Sequence, residues 1–116
     1  MSHSLSPEDL PPAVVTDLDT ALQRQLMSLL SQHFFEACGG RLQAVIMQCE
    51  WKIYMSDVLT LVFYCRDVRS NWQVLNHLAP IAERLAQFSP QAKVKVYPPI
   101  TTEPPLEIRV DERSVY

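Results

Sequence analysis

The segment Val45-Ile46-Met47-Gln48-Cys49-Glu50-Trp51-Lys52-Ile53-Tyr54, followed after Met55-Ser56-Asp57 by Val58-Leu59-Thr60-Leu61-Val62-Phe63-Tyr64-Cys65-Arg66, decides the fold. In the first run the odd positions Val45, Met47, Cys49, Trp51 and Ile53 are apolar, and Gln48, Glu50 and Lys52 alternate with them. In the second, Leu59, Leu61, Phe63 and Cys65 continue the odd face. Period-two alternation is the mark of strands with one buried side. Two such strands joined by three residues predict an antiparallel hairpin over Leu42–Tyr54 and Val58–Arg66. Odd must pair with odd, because a one-residue slip inverts every side chain. A Met55-Ser56-Asp57 connection opposes Ile53 to Leu59, Trp51 to Leu61 and Cys49 to Phe63.

On the N-terminal side, residues 1–15 read as a flexible lead-in. Thr16 is the expected N-cap of a helix over Asp17–Cys38, with Asp17 and Asp19 in its first turn and Gly39-Gly40 as its stop. Leu18, Leu22, Leu26, Leu29, Leu30 and Ala37 share an arc of about 120°, which predicts an amphipathic helix with a core-facing stripe. His33 lies within that stripe as a core-edge histidine.

On the C-terminal side, Ser70 with Gln73 forms the expected capping box of a second helix reaching about Phe88. Trp72, Leu75, Leu78, Ala82 and Leu85 are its expected buried face, and Pro80 must kink it or open a second piece. Lys93–Tyr97 alternates as a third strand, and Leu106–Val110 as a fourth beyond Pro98-Pro99 and Pro104-Pro105. The fold class is α+β: a domain over residues 16–97 of order α-β-β-α-β, helices on one face of a small, mainly antiparallel sheet. Residues 98–116 form a proline-rich connector with a C-terminal strand and tail. Stiffened by its prolines, this strand is expected to be ordered by a contact with another molecule. The element order is similar to that of type II KH-like domains. That resemblance implies a nucleic-acid-binding alternative, although no Gly-x-x-Gly loop joins two helices here.

Composition excludes several classes. The chain has 116 residues, 47% hydrophobic and 20% charged, enough for one domain with its own core. The first residues lack the basic start and apolar run of a secretory signal, and no apolar run could span a bilayer. Three cysteines without a Cys-x-x-Cys pair fit buried thiols in a reducing, cytoplasmic setting. Net charge is −3, with acidic flanks around a mildly basic middle, a field too weak to drive phosphate-backbone binding.

Chemistry-bearing patterns are missing. Cys49 and Cys65, diagonal neighbours in the expected register, could join His33 around a metal, but structural zinc normally uses closely spaced ligand pairs. The adjacent glycines follow a helix instead of preceding one, unlike a phosphate loop. His77, on the polar side of the second helix, reads as solvated. No catalytic residue, cofactor or metal is assigned.

The even face of the hairpin is richer than a solvated face requires. Ile46, Tyr54, Val58, Val62, Tyr64 and Arg66, together with Leu106, Ile108 and Val110 of the last strand, are the candidate interface. The expected function is a small non-enzymatic protein-interaction module, a regulatory or assembly subunit with a protein partner and a possible homodimer. The alternative is a KH-like module that uses Lys93, Lys95, Arg66 and Arg69, with Tyr54 or Tyr64 stacking on bases. A small enzyme with scattered residues is third.

Overall fold

The hairpin forms where the alternation places it, with a shifted register. A computed structural model describes the backbone of residues 12–100 and 102–111, and side chains from residue 17 onward. Of the expected flexible lead-in over residues 1–15, residues 12–15 are helical instead, as part of the first helix; residues 1–11 and the tail beyond 111 lie outside the described residues. Strand β1 spans Glu50–Met55 and β2 spans Leu59–Tyr64. They pair Met55 with Leu59, Ile53 with Leu61 and Trp51 with Phe63. Odd still faces odd, but every expected pair moves by two residues because the connection is Ser56-Asp57-Val58. The Ser56 N–H donates to the Val58 carbonyl (3.1 Å), which draws Met55 into the ladder.

The strand does not begin at Leu42. Helix α1 runs Pro12–Ile46 with a non-helical break at Gly39 (φ 76°, ψ 167°). Leu42, Val45 and Ile46 are all buried. Their three- and four-residue spacing suits one face of a helix, whereas adjacent strand residues would point to opposite sides. The Gln43 side-chain amide donates to the Phe35 carbonyl across the break (2.8 Å). The glycine pair therefore redirects the helix without ending it. Its start at Pro12 also removes Thr16 from the N-cap position.

The first part of α1 turns an unexpected face inward. Phe34 and Cys38 are buried and Met27 packs against the core, whereas Leu18, Leu22, Leu26 and Leu29 are about half exposed or more. His33 is exposed as well, not core-edge. The helix carries two apolar faces, and the aromatic one wins the core. Phe34 meets Phe88 edge-on at 6.2 Å, and Phe35 stacks on Trp51 at 5.9 Å. Trp51, on edge strand β1, is only half-buried.

After β2 the chain crosses over through two short helices, α2 (Val68–Asn76) and α3 (Leu78–Ala86), split at His77. Asp67, not Ser70, is the N-cap. Its carboxylate accepts from the Ser70 N–H (2.7 Å), and the Ser70 hydroxyl accepts from the Asp67 N–H (3.3 Å). Pro80 opens the second piece, in the first turn of α3, where its missing N–H costs nothing. α3 buries Ile81, Ala82 and Leu85. α2 buries Ser70 and Val74, leaving Trp72 and Leu75 exposed. One continuous helix would align those two with Ala82 and Leu85, and the break at His77 uncouples them.

Strand β3 (Lys93–Tyr97) returns parallel to β2, as a helical crossover requires. Strand β4 (Leu106–Arg109) pairs antiparallel with β3, completing the mixed sheet order β1-β2-β3-β4. The expectation that this last strand is ordered by another molecule is thereby corrected. The Val110 N–H donates to the Ala92 carbonyl (2.9 Å), and Val110 joins the hydrophobic core. The inner face aligns Ile53, Leu61, Val94 and Ile108 in one row and Trp51, Phe63, Val96 and Leu106 in the next.

The two glycines should respond oppositely to a methyl group, since neither has a neighbour within 4 Å of an added Cβ. Gly39→Ala forces a positive φ on an L side chain and should cost about 1–3 kcal/mol. Gly40→Ala sits in helical backbone and should be neutral or stabilise by up to about 1 kcal/mol. Denaturant midpoints of the two variants give the comparison, and equal effects would contradict the break.

Candidate functional site

The outer sheet face is ordered by cross-strand rows. Lys52, Val62, Lys95 and Glu107 form one row, and Tyr54, Thr60, Lys93 and Arg109 the next. Tyr64 and Tyr97 pair at the open end, their rings stacked at 5.1 Å and 14°. The Lys52 ammonium lies 5.7 Å from the Tyr54 ring centre and 5.9 Å from that of Tyr64. Lys93 bridges Asp57 and Glu107 at 3.2 Å each, and Lys95 reaches Glu107 at 4.0 Å. The Ser56 hydroxyl and Lys93 hold the Asp57 carboxyl down at about 2. The hydrogen bonds that Lys93 donates to Glu107 and Asp57 raise its own value in turn.

This network changes what the face offers. Val62 and Thr60 are buried although they point outward. The long side chains beside them in the rows, Lys52 and Lys95 among them, can lay aliphatic stems over such positions. Of the candidate interface, Ile46 lies in the last turn of α1 at 0% exposure, and Val62 and Val110 are buried too. These three are corrected: they form no surface. Ile108 is half-buried on the inner face, and Tyr54 and Val58 are half-buried near the hairpin loop. Tyr64, Arg66 and Leu106 remain exposed.

A different surface emerges along α2. Val68 and Trp72 are about two-thirds exposed, Leu75 38%, and together they follow one helical line. Leu75 shares a hollow of about 210 Å³ with Leu106, Pro98 and Pro104. Pro98 also borders a second hollow, about 330 Å³, beside Tyr64 and Tyr97. The exposed guanidinium side chains of Arg66 and Arg69 flank the start of the line, and neither is ion-paired among the described residues. The pattern reading missed this line because it ran one helix through His77. The Asp67 cap and Pro80 were the signals that two helices are present.

The thiols sit elsewhere. Cys49 and Cys65 face each other directly, not diagonally, with sulfurs 3.8 Å apart, and Cys38 is buried on the inward face of α1. Burial pushes Cys65 up to about 12, with the neighbouring Cys49 adding to the shift. Burial also takes Cys38 to about 11, offset in part by Arg84, and raises Cys49. Protonated, buried thiols are poor nucleophiles. Among the described residues no three His, Cys, Asp or Glu side chains gather in a metal-holding group. His77 is half-buried, not solvated, with its Nδ1 2.8 Å from the Gln73 carbonyl oxygen at the helix break.

No helix among the described residues is long and apolar enough to cross a membrane. No family model, curated protein or solved structure matches the chain significantly.

The thiols generate a pH prediction. Their folded values lie above the ordinary thiol value, so their stabilising contribution is whole below about pH 8.5 and is lost as pH rises towards 11–12. A Cys65→Ala variant should therefore lose less stability between pH 8 and pH 11 than the parent, as read from urea midpoints. In the native protein at pH 8, a thiol reagent should label all three cysteines far more slowly than in denaturant. Rapid native labelling would contradict their burial.

Proposed function

We propose that the protein is a non-enzymatic interaction module, a regulatory or assembly subunit. It holds a second protein along the apolar line of α2 and the adjoining Leu106 edge. The observation that carries this reading is Trp72, 67% exposed between Val68 and Leu75 on a folded, well-packed domain. Tryptophan is among the residues most enriched in binding hot spots, as is arginine. Contiguous exposed apolar surface of this kind marks contact sites more often than chance. The nearby Arg66 and Arg69 favour a partner segment whose apolar side chains are edged by carboxylates.

Support for the nucleic-acid alternative weakens at the sheet. Lys93 and Lys95, the lysines it would use, are engaged with Asp57 and Glu107. Phosphate binding would have to compete with those carboxylates. The stacked Tyr64 and Tyr97 present an aromatic edge, with Lys52 beside the Tyr64 ring.

The test is affinity capture from the native host with and without nuclease, comparing the parent with Trp72→Ala and Tyr64→Ala. Trp72→Ala should lose its specific protein partners while keeping its melting temperature, since exposed substitutions usually cost less than about 0.5 kcal/mol. Tyr64→Ala should keep them. Partners retained by Trp72→Ala, or lost on nuclease treatment alone, would overturn the proposal.

A further inference from the structure

Cys49 and Cys65 stand one step beyond Glu50 and Tyr64, the last pair of the β1–β2 ladder. Residues opposed across an antiparallel pair have Cα atoms about 4.5–5.5 Å apart, within the range that a disulfide bridges. Their thiols are hydrogen-bonded to each other, sulfur to sulfur 3.8 Å. A disulfide bond is about 2.0 Å long, so the sulfurs would have to close by about 1.8 Å. The Cys49 N–H donates to the Ile46 carbonyl (3.2 Å) and the Cys65 N–H to the Tyr97 carbonyl (3.1 Å). Neither N–H is therefore held in the hairpin ladder, and closing the sulfurs breaks no bond that either makes across the hairpin. The Ser70 hydroxyl is hydrogen-bonded to the Cys49 sulfur from the first turn of α2. Ser70 also lines an open hollow of about 450 Å³, together with Gln48 and Arg66, the chain neighbours of the two cysteines. The pair thus lies at the floor of that hollow, whereas Cys38, the third free thiol, does not line it.

We propose that Cys49 and Cys65 form a redox-active dithiol that a small-molecule disulfide closes to an intramolecular bridge, Cys49 attacking first and Cys65 resolving. The environments of the two sulfurs set that order. Burial raises both thiols, but hydrogen bonds from Cys65 and Ser70 offset part of the rise at Cys49. At Cys65 the neighbouring Cys49 adds to the effect of burial, and the value reaches about 12. Cys49 is therefore the thiol that gives up its proton more readily, and the thiolate is the nucleophile.

The exchange runs in two steps. The Cys49 thiolate attacks one sulfur of the small disulfide and breaks its S–S bond, and the thiolate that leaves takes up the proton Cys49 gave up. Cys65 then loses its proton and attacks the Cys49 sulfur, breaking the mixed disulfide and expelling the second thiolate, which takes that proton. The protein loses two electrons and two protons, and the small disulfide gains both as two thiols. Burial makes the first step slow, in keeping with slow labelling of the native thiols. Proximity favours the second, because the resolving sulfur already touches the one it attacks.

The test incubates the full chain with glutathione disulfide for hours near the ordinary thiol pKa, about pH 8.5, then alkylates the remaining thiols in denaturant. Non-reducing mass spectrometry should find a single alkylated thiol, Cys38, and a peptide linked through Cys49 and Cys65. Dithiothreitol should restore all three thiols. Cys65→Ser should stop at a glutathione adduct on Cys49, and Cys49→Ser should leave Cys65 largely free over the same time. The oxidised parent should melt no lower than the reduced one, because linking residues 16 apart in the chain constrains its unfolded state. Three free thiols in the parent, a glutathione adduct that persists on it, or a bridge that includes Cys38 would each overturn the proposal. So would equal adduct formation in the two serine variants, or a lower melting temperature on oxidation. Trp72→Ala should oxidise like the parent, so failure here and failure of the α2 contact surface are distinguishable.

Discussion

Strand β2 must be covered on both sides, and the rest of the chain is arranged to cover it. Five of its six residues are buried, including Thr60 and Val62 on the outward side. Its inner residues Leu61 and Phe63 need a helical layer, supplied by the second part of α1 and by α3. Its two edges need partners, supplied by β1 across a short loop and by β3 after a crossover. The outer face is closed by side chains of its own sheet. There Lys93 and Lys95 are neutralised by Asp57 and Glu107, and the tyrosines are paired with each other.

Two breaks decide which apolar faces take part in that cover. At Gly39 the backbone leaves helical geometry, so Leu42, Val45 and Ile46 can reach the core while the preceding turns present Phe34 and Cys38. At His77 the crossover splits, so α3 buries Ile81, Ala82 and Leu85 while α2 buries only Val74 and Ser70. Each break leaves an apolar line outside: four leucines along the first part of α1, and Val68, Trp72 and Leu75 along α2. Both follow from one constraint, that a core this size has room for one face of each helical piece.

The surfaces a reader of the pattern would choose are thus not the ones left open. Val62 and Ile46 look like surplus apolar residues on a polar face, yet one is roofed by its neighbours and the other belongs to a helix. Trp72 and Leu22 look like core residues and stand in solvent. Apolar identity alone does not distinguish a surplus residue from a packed one. Only the competition between faces does, and that competition is settled by where the helices break.

Local alternation and punctuation in the sequence determined the α+β class, the odd-on-odd pairing of the hairpin, the strand at Lys93–Tyr97 and the alternating segment at Leu106–Arg109. These depend on period-two patterning, which a strand expresses whatever it packs against. The tertiary structure alone decided the two-residue register shift, the helical state of Leu42–Ile46, the return of β4 to its own sheet and the outward faces of α1 and α2. A loop hydrogen bond at Ser56, a positive φ at Gly39 and the anchoring of Val110 beneath Ala92 set these. Each compares contacts made by residues far apart in the chain, and no window of sequence contains both sides of the comparison.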